Sequence, residues 1–205
     1  MKRIFFSLAL LLAVTALTAQ TNMTAREAAV KIADRILAST TYEFKNTKTG
    51  ETYKSVKKLP LDMNVKVACK YNNWHYTNGV TNMALMELGD KLADKKYEKY
   101  VLKNMNFVFN EGNLEFFRKQ YDEAFKQDGW NAVRKLSWHM IFRGKRLDDN
   151  GPMGASLIEL QMRYPNQSFL DYVNETAEHL NYGEPRLVDG TIARIWPHVN
   201  TIWAD

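Results

Sequence analysis

Seven stretches in which apolar residues recur every three to four positions follow one another, with little strand-like alternation between them. That period gathers the apolar side chains on one stripe of a helix, and each stripe must be buried against a neighbour. The first stretch is the best delimited. Thr24-Ala-Arg-Glu27 is a capping box followed by Ala25, Ala29, Ile32 and Ile36 at helical spacing, so a helix is expected over 24–38. Val80, Met83, Ala84, Leu88 and Leu92 mark a second over 79–93, and Tyr97, Val101, Met105 and Val108 a third. Phe117, Tyr121 and Phe125 fall four apart in a fourth over 114–125, and a weaker fifth spans 130–142. After a turn rich in Asp, Asn, Gly and Pro come a sixth at 153–163 and a seventh at 168–180, with Pro165 ending one and Ser168 capping the next. Residues 51–70, beyond the turn Thr47-Lys-Thr-Gly50, read as irregular or weakly strand-like. The expected fold class is all-α, an array of helical hairpins or a toroid; a parallel α/β sheet does not fit this order.

The N-terminus is set apart from that series. Lys2 and Arg3 precede an apolar run over 4–17 and then the small residues Thr18 and Ala19. This is the layout of a secretory signal peptide over 1–19, too short to span a bilayer as a stable helix. Cleavage near Ala19 leaves residues 20–205 as one exported domain, periplasmic or secreted. No cysteine follows the run to carry a lipid, so no membrane anchor is expected after the signal is removed. Losing Lys2 and Arg3 lowers the formal charge from +5 to +3. That balance, with no basic stripe, does not suggest nucleic acid as a partner. The excess is local: Lys45, Lys48, Lys54, Lys57, Lys58, Lys66 and Lys70 fall in one stretch. Such a run is ordinarily a solvated face, although it can steer an anionic polysaccharide. Cys69 is the only cysteine, which excludes an intramolecular disulfide. Val65, Val67 and Cys69 alternate with Lys66, Ala68 and Lys70, so the thiol is expected to be buried.

The chain has no phosphate loop, no dinucleotide-binding glycine fingerprint, no HExxH and no paired CxxC. His75, His139, His179 and His198 include no two at ligand spacing on one helix, so no metal site is expected. Three segments stand out instead. Trp74-His-Tyr-Thr-Asn-Gly79 opens a helix, Leu147-Asp-Asp-Asn-Gly-Pro152 is dense in turn formers, and the segment from Ile195 to Asp205 sets two Trp and a His before an acid. Each alone reads as packing, a turn or a frayed terminus.

Taken in order, these segments resemble the unsaturated glucuronyl and rhamnogalacturonyl hydrolases of glycoside hydrolase families 105 and 88. The resemblance rests on an aromatic-Tyr-x-x-Gly helix start (Trp74, Tyr76, Gly79) and an Asp-Asn-x-x-x-Gly turn opening a helix (Asp149, Asn150, Gly154). Its third element is a Gly-containing segment running through Pro to Trp-x-Asp (Gly190, Pro197, Trp203, Asp205). It covers the chain from about Thr24 onward. Family members fold as an (α/α)6 toroid of six helical hairpins with the sugar pocket at one end. Seven helices fall short of twelve, so the expectation is the N-terminal part of such a toroid, truncated and inactive by itself.

The resemblance implies hydration of the C4=C5 double bond that a polysaccharide lyase leaves on a uronyl sugar. Protonation at C4 and water addition at C5 give a hemiketal that opens and releases the unsaturated sugar. The chemistry needs an acid/base near the double bond, rather than two carboxylates placed for anomeric attack. By motif, Asp205 is that acid/base, its pKa raised by an apolar wall such as Trp203. Asp149, chosen over Asp148 by its spacing to Gly154, holds sugar hydroxyls. Trp74 and Tyr76 flank the ring, with His198 as a further contact. The implied partner is an unsaturated uronic-acid oligosaccharide, and no cofactor is implied. Two rivals stand beside this reading: a helical-array protein that binds carbohydrate without cleaving it, and a polysaccharide lyase on a related toroid.

Overall fold

The computed structural model describes residues 23–136, 138–142 and 147–193, without the side chains of 111 and 147–149. Six α-helices lie in this part: α1 (Ala25–Ser39), α2 (Tyr76–Leu92), α3 (Lys95–Val108), α4 (Glu111–Val133), α5 (Leu147–Arg163) and α6 (Gln167–Glu178). Between α1 and α2 sits a small antiparallel sheet of β1 (Phe44–Asn46), β2 (Thr52–Tyr53) and β3 (Val65–Val67), in the order β2-β1-β3. The expected signal peptide over 1–19 lies outside the described residues. No helix among the described residues is long and apolar enough to cross a membrane.

The helices begin where side chains can satisfy their free amides. At α1 the Thr24 hydroxyl accepts from the Glu27 amide while the Glu27 carboxylate accepts from the Thr24 amide at 2.8 Å. The α2–α3 hairpin is closed by two residues: Ala93, at φ +52° in the left-handed region, and Asp94, whose carboxylate accepts from the Lys96 amide at 3.0 Å. Asn110 caps α4. The cap of α6 is Asn166, not Ser168: the Asn166 carbonyl oxygen accepts from the Ser168 amide at 2.9 Å, so Ser168 is already inside the helix.

Three expectations change in the middle of the chain. The strands were expected only weakly, and β1 lies before the stretch expected to carry them. β1 forms because Phe44 and Asn46 point inward while Lys45 points out, the two-residue alternation of a half-buried strand. The fifth helix does not form as a unit. Asp128 and Gly129 (φ +52°) break the helical path, Trp130 to Val133 finish α4, and a 3-10 turn, His139–Phe142, follows. The sixth starts early. The Asp-Asn-Gly-Pro segment, expected to be a turn, forms the opening of α5, with Pro152 inside the helix and lacking an amide for the Asp148 carbonyl.

α2 and α5 are the central pair and run parallel: Gly79 meets Pro152 where both begin, and Asp90 meets Arg163 where both end. Met86, Met153, Leu157 and Leu160 lie in their seam, with Phe169 of α6 and Tyr97, Val101 and Met105 of α3 completing the core. The sheet packs its inner face on helices α3 and α4, where the Phe44 ring lies 5.7 Å from Phe107 and 6.0 Å from Phe117. Gln120 ties α4 to the sheet by donating to the carbonyls of Asp62 and Val65 at 2.7 and 2.9 Å. Cys69 is half-buried rather than buried, its Sγ 3.7 Å from the Ser39 carbonyl.

Charge holds the far end of the central pair. Glu98, 2% exposed, accepts from the Tyr164 hydroxyl and from Arg163 Nη1 at 2.8 Å, with Lys95 Nζ at 3.1 Å. Arg163 also bonds Asp90 and Glu159, both at 2.7 Å. The Tyr164 hydrogen bond, followed by those from Arg163 and Lys95, outweighs desolvation and holds the Glu98 carboxyl at about 2, against an ordinary 4.5. A depressed carboxylate stabilises the fold above its ordinary pKa, and that contribution is lost as pH falls through the folded value. Glu98→Gln is therefore expected to cost about 3 kcal/mol at neutral pH, as for a broken buried ion pair. In denaturant titrations the gap to wild type should close as pH falls from 4.5 to 2. A gap independent of pH would contradict the assignment.

Candidate functional site

The near end of the central pair gathers two of the three segments singled out in the sequence. Trp74 directly precedes α2 by one cap residue, and Asn150 lies in the opening of α5. Although 76 positions apart, they are joined: the Trp74 indole Nε1–H donates to Asn150 Oδ1 at 3.1 Å. The Tyr172 hydroxyl, from α6, donates to the same oxygen at 3.4 Å. Tyr172 packs edge-on to Trp74 at 5.0 Å, and burial pushes its phenol pKa well up, so it remains a donor. An indole N–H only donates, so the Asn150 amide has a single sensible orientation: Oδ1 inward, Nδ2 turned away. Among the described residues Nδ2 meets no acceptor. It is a fixed donor on a residue that is 7% exposed.

Close approach of the two helices depends on Gly79. A β-carbon there would fall 2.5 Å from the Met153 amide nitrogen and closer still to the Pro152 carbonyl carbon. These are backbone atoms of a helix and cannot swing aside. The other motif glycines are different. A β-carbon at Gly154 would meet only Thr176 Cγ2, at an ordinary 3.8 Å, and one at Gly151 would meet nothing within 4 Å. Gly190 sits at φ +87° in a tight turn where the Gly190 amide donates to the Leu187 carbonyl and Leu187 to Thr191.

The expected site residues divide into four groups. Tyr76 is the first residue of α2 and 44% exposed, its ring 4.5 Å from that of His75. Trp74 departs from the expected sugar-flanking role: it is fully buried, with Phe109, Trp138 and Tyr172 around it, and positions Asn150 instead. Asp149 occupies the third position of α5, but its side chain is outside the described residues, as is that of Asp148. Asp205, Trp203, His198 and Pro197 lie wholly outside them. Both parallel helices turn their N-termini, the positive ends of their dipoles, toward this end, a favourable setting for an anionic group.

Asn150, Tyr172 and His75 were not singled out as site residues. Asn150 was legible in principle, because a buried indole requires an acceptor and an Asn beside the motif aspartate is a ready one. His75 caps α2, its Nδ1 2.9 Å from Thr77 Oγ1, and holds the ring against Tyr76. Nothing in the spacing pointed to Tyr172, which arrives from a third helix. Among the described residues no three His, Cys, Asp or Glu side chains gather as metal ligands. No protein-family model matches the chain, and no curated protein matches it.

Two substitutions separate the close contact from simple glycine content. Gly79→Ala is expected to destabilise the fold by about 3 kcal/mol, the upper end of overpacking, because the helices must part. Gly151→Ala, inside α5 with free space, is expected to stabilise by up to about 1 kcal/mol through helix propensity. Chemical denaturation of both variants measures this, and equal effects would contradict the packing account.

Proposed function

We propose that this chain belongs to a protein that acts on unsaturated uronyl oligosaccharides, hydrating the C4=C5 double bond, on a ring of helical hairpins to which the α2–α3 and α5–α6 hairpins belong. The observation that carries the reading is the meeting of segments 74–79 and 149–154 through the Trp74–Asn150 hydrogen bond. These are two of the three segments on which the resemblance to the unsaturated uronyl hydrolases rests. Support for the ring comes from the parallel run of α2 and α5, each the first helix of its hairpin, a natural arrangement for inner helices of a closed hairpin array.

In this mechanism Asp205 delivers a proton to C4 and accepts one from the water that adds to C5. The new C5 hydroxyl makes a hemiketal. Its opening breaks the bond from C5 to the ring oxygen and leaves a C5 ketone and a C1 hemiacetal. The hemiacetal collapses to an aldehyde as the glycosidic bond breaks, and the aglycone leaves as an alcohol with the hemiacetal proton. Asn150 Nδ2, with its orientation fixed by Trp74, donates to the sugar, while Asp149 accepts from its hydroxyls. Tyr76, exposed beside His75, offers the face on which a sugar ring packs. The paired helix N-termini favour the substrate carboxylate. Exported localisation, expected from residues 1–19, suits a substrate released from extracellular polysaccharide.

Calorimetric titration with a lyase-generated unsaturated disaccharide tests the reading. Binding should be about tenfold tighter than for the saturated disaccharide, roughly 1.4 kcal/mol, and Asp149→Asn should remove that preference. Equal affinity for the two sugars, or none for either, would overturn it. Ultraviolet absorbance during the same titration sorts the rivals. Tight binding with a persistent double bond favours a non-catalytic carbohydrate-binding protein, and new absorbance from intact polymer favours a lyase.

A further inference from the structure

Residues 43–70 hold seven lysines against three carboxylates, Glu43, Glu51 and Asp62. The register of the small sheet sets part of this excess on one face. Lys45 of β1 lies directly opposite Lys66 of β3 and, on its other side, opposite Thr52 of β2. The residues flanking them, Phe44, Asn46, Val65 and Val67, point to the core, so both lysines belong to the outer face. Like charges directly opposite across strands destabilise a sheet. Here that cost is not relieved locally. None of the ion pairs among the described residues includes Lys45, Lys48, Lys54, Lys57, Lys58, Lys66 or Lys70. Lys91, Lys95, Lys96, Lys119 and Lys126, all on helices, each hold a carboxylate.

The nearby acids are partly committed elsewhere. Glu51 accepts from the Thr49 and Tyr53 hydroxyls at 3.1 and 2.9 Å. Asp62 accepts from the Asn64 backbone and side chain and from Asn46, and these, with the charge of Lys48, outweigh desolvation and hold its carboxyl below the usual range. Neutral donors leave both carboxylates charged, and Asp62 lies close enough to Lys48 to feel its charge, but three acids against seven lysines leave the stretch with an excess of four positive charges.

We propose that the outer face of the β2-β1-β3 sheet is a docking surface for a carboxylate-bearing polysaccharide, a polyuronate. Neighbouring strands about 4.8 Å apart present Lys45 and Lys66 as a close pair of point charges, suited to the repeated single charges of such a polymer. Every cation in the stretch is Lys and none is Arg, the residue that phosphate recognition favours for its bidentate fork. No aromatic ring lies on this face of the strands to stack on a nucleobase: Phe44 is buried in the core, and Tyr53, its partner across β1 and β2, shares its side of the sheet. The inference goes beyond the hydration chemistry and stands without it, because it concerns a surface separate from the α2–α5 end.

Affinity electrophoresis of the full chain through gels containing polygalacturonate tests it. Retardation is expected at low salt and should fade as salt rises. Lys45→Gln with Lys66→Gln should weaken it roughly tenfold, from the loss of two surface cations. Lys91→Gln with Lys119→Gln, an equal change in net charge made on helices, should have little effect. Because the first pair relieves a like-charge contact, its melting temperature should hold or rise. No retardation of wild type, an equal loss in both double variants, a lowered melting temperature in the first, or stronger retention by single-stranded DNA would each overturn the proposal. The disaccharide titration reads a different site, so failure of one leaves the other result standing.

Discussion

Where α2 and α5 begin, backbone lies directly on backbone. Gly79 offers a hydrogen where any other residue would drive a carbon into the Pro152 and Met153 peptides. That contact draws the two helix starts together, and the rest of the near end follows from it. Trp74 is brought within reach of Asn150, Tyr172 closes on the same oxygen, and the amide of Asn150 is left with one orientation. Packing of this kind does not bend gradually, since a dense interior leaves no intermediate spacing for two helices to adopt. The candidate site is thus positioned by the absence of a side chain.

An aromatic layer connects this end to the sheet. Trp74 meets Trp138, Trp138 meets Phe107 and Phe117, and both of those meet Phe44 on the inner face of β1. Large rings in edge and tilted contact fill space with few rotatable bonds, so they transmit position well. The lysine face of the sheet and the α2–α5 end are therefore parts of one packed body, although they differ in chemistry. Elsewhere the helices leave apolar surface open: Ile32 of α1 and Val80 of α2 border a groove of about 520 Å³ between those two helices.

The sequence disclosed the helices in proportion to how local their causes are. α1 was legible to within a residue because its capping box is written in four consecutive positions. α3 was legible from its four-residue spacing. β1 was not, because a three-residue strand is set by its partners across the sheet rather than by its own pattern. The opening of α5 is hidden for a related reason: Asp, Asn, Gly and Pro favour turns in isolation, and tertiary contact with Gly79 overrides that preference. Of the site, the motif segments were visible, but the burial of Trp74 and the arrival of Tyr172 depend on a third helix and were not.

The α2–α5 pair is fastened by different physics at its two ends. At Arg163 the fastening is ionic, with several partners and water close by. At Gly79 it is steric contact that no ion can screen or titrate. Acid or concentrated salt therefore loosens the pair from one end only, like a zip with a single slider. Backbone amides near Arg163 would exchange with solvent through small openings, while those near Gly79 and Met153 would wait for the whole body to unfold. The geometry around Asn150 is thus independent of the ion pairs at Arg163.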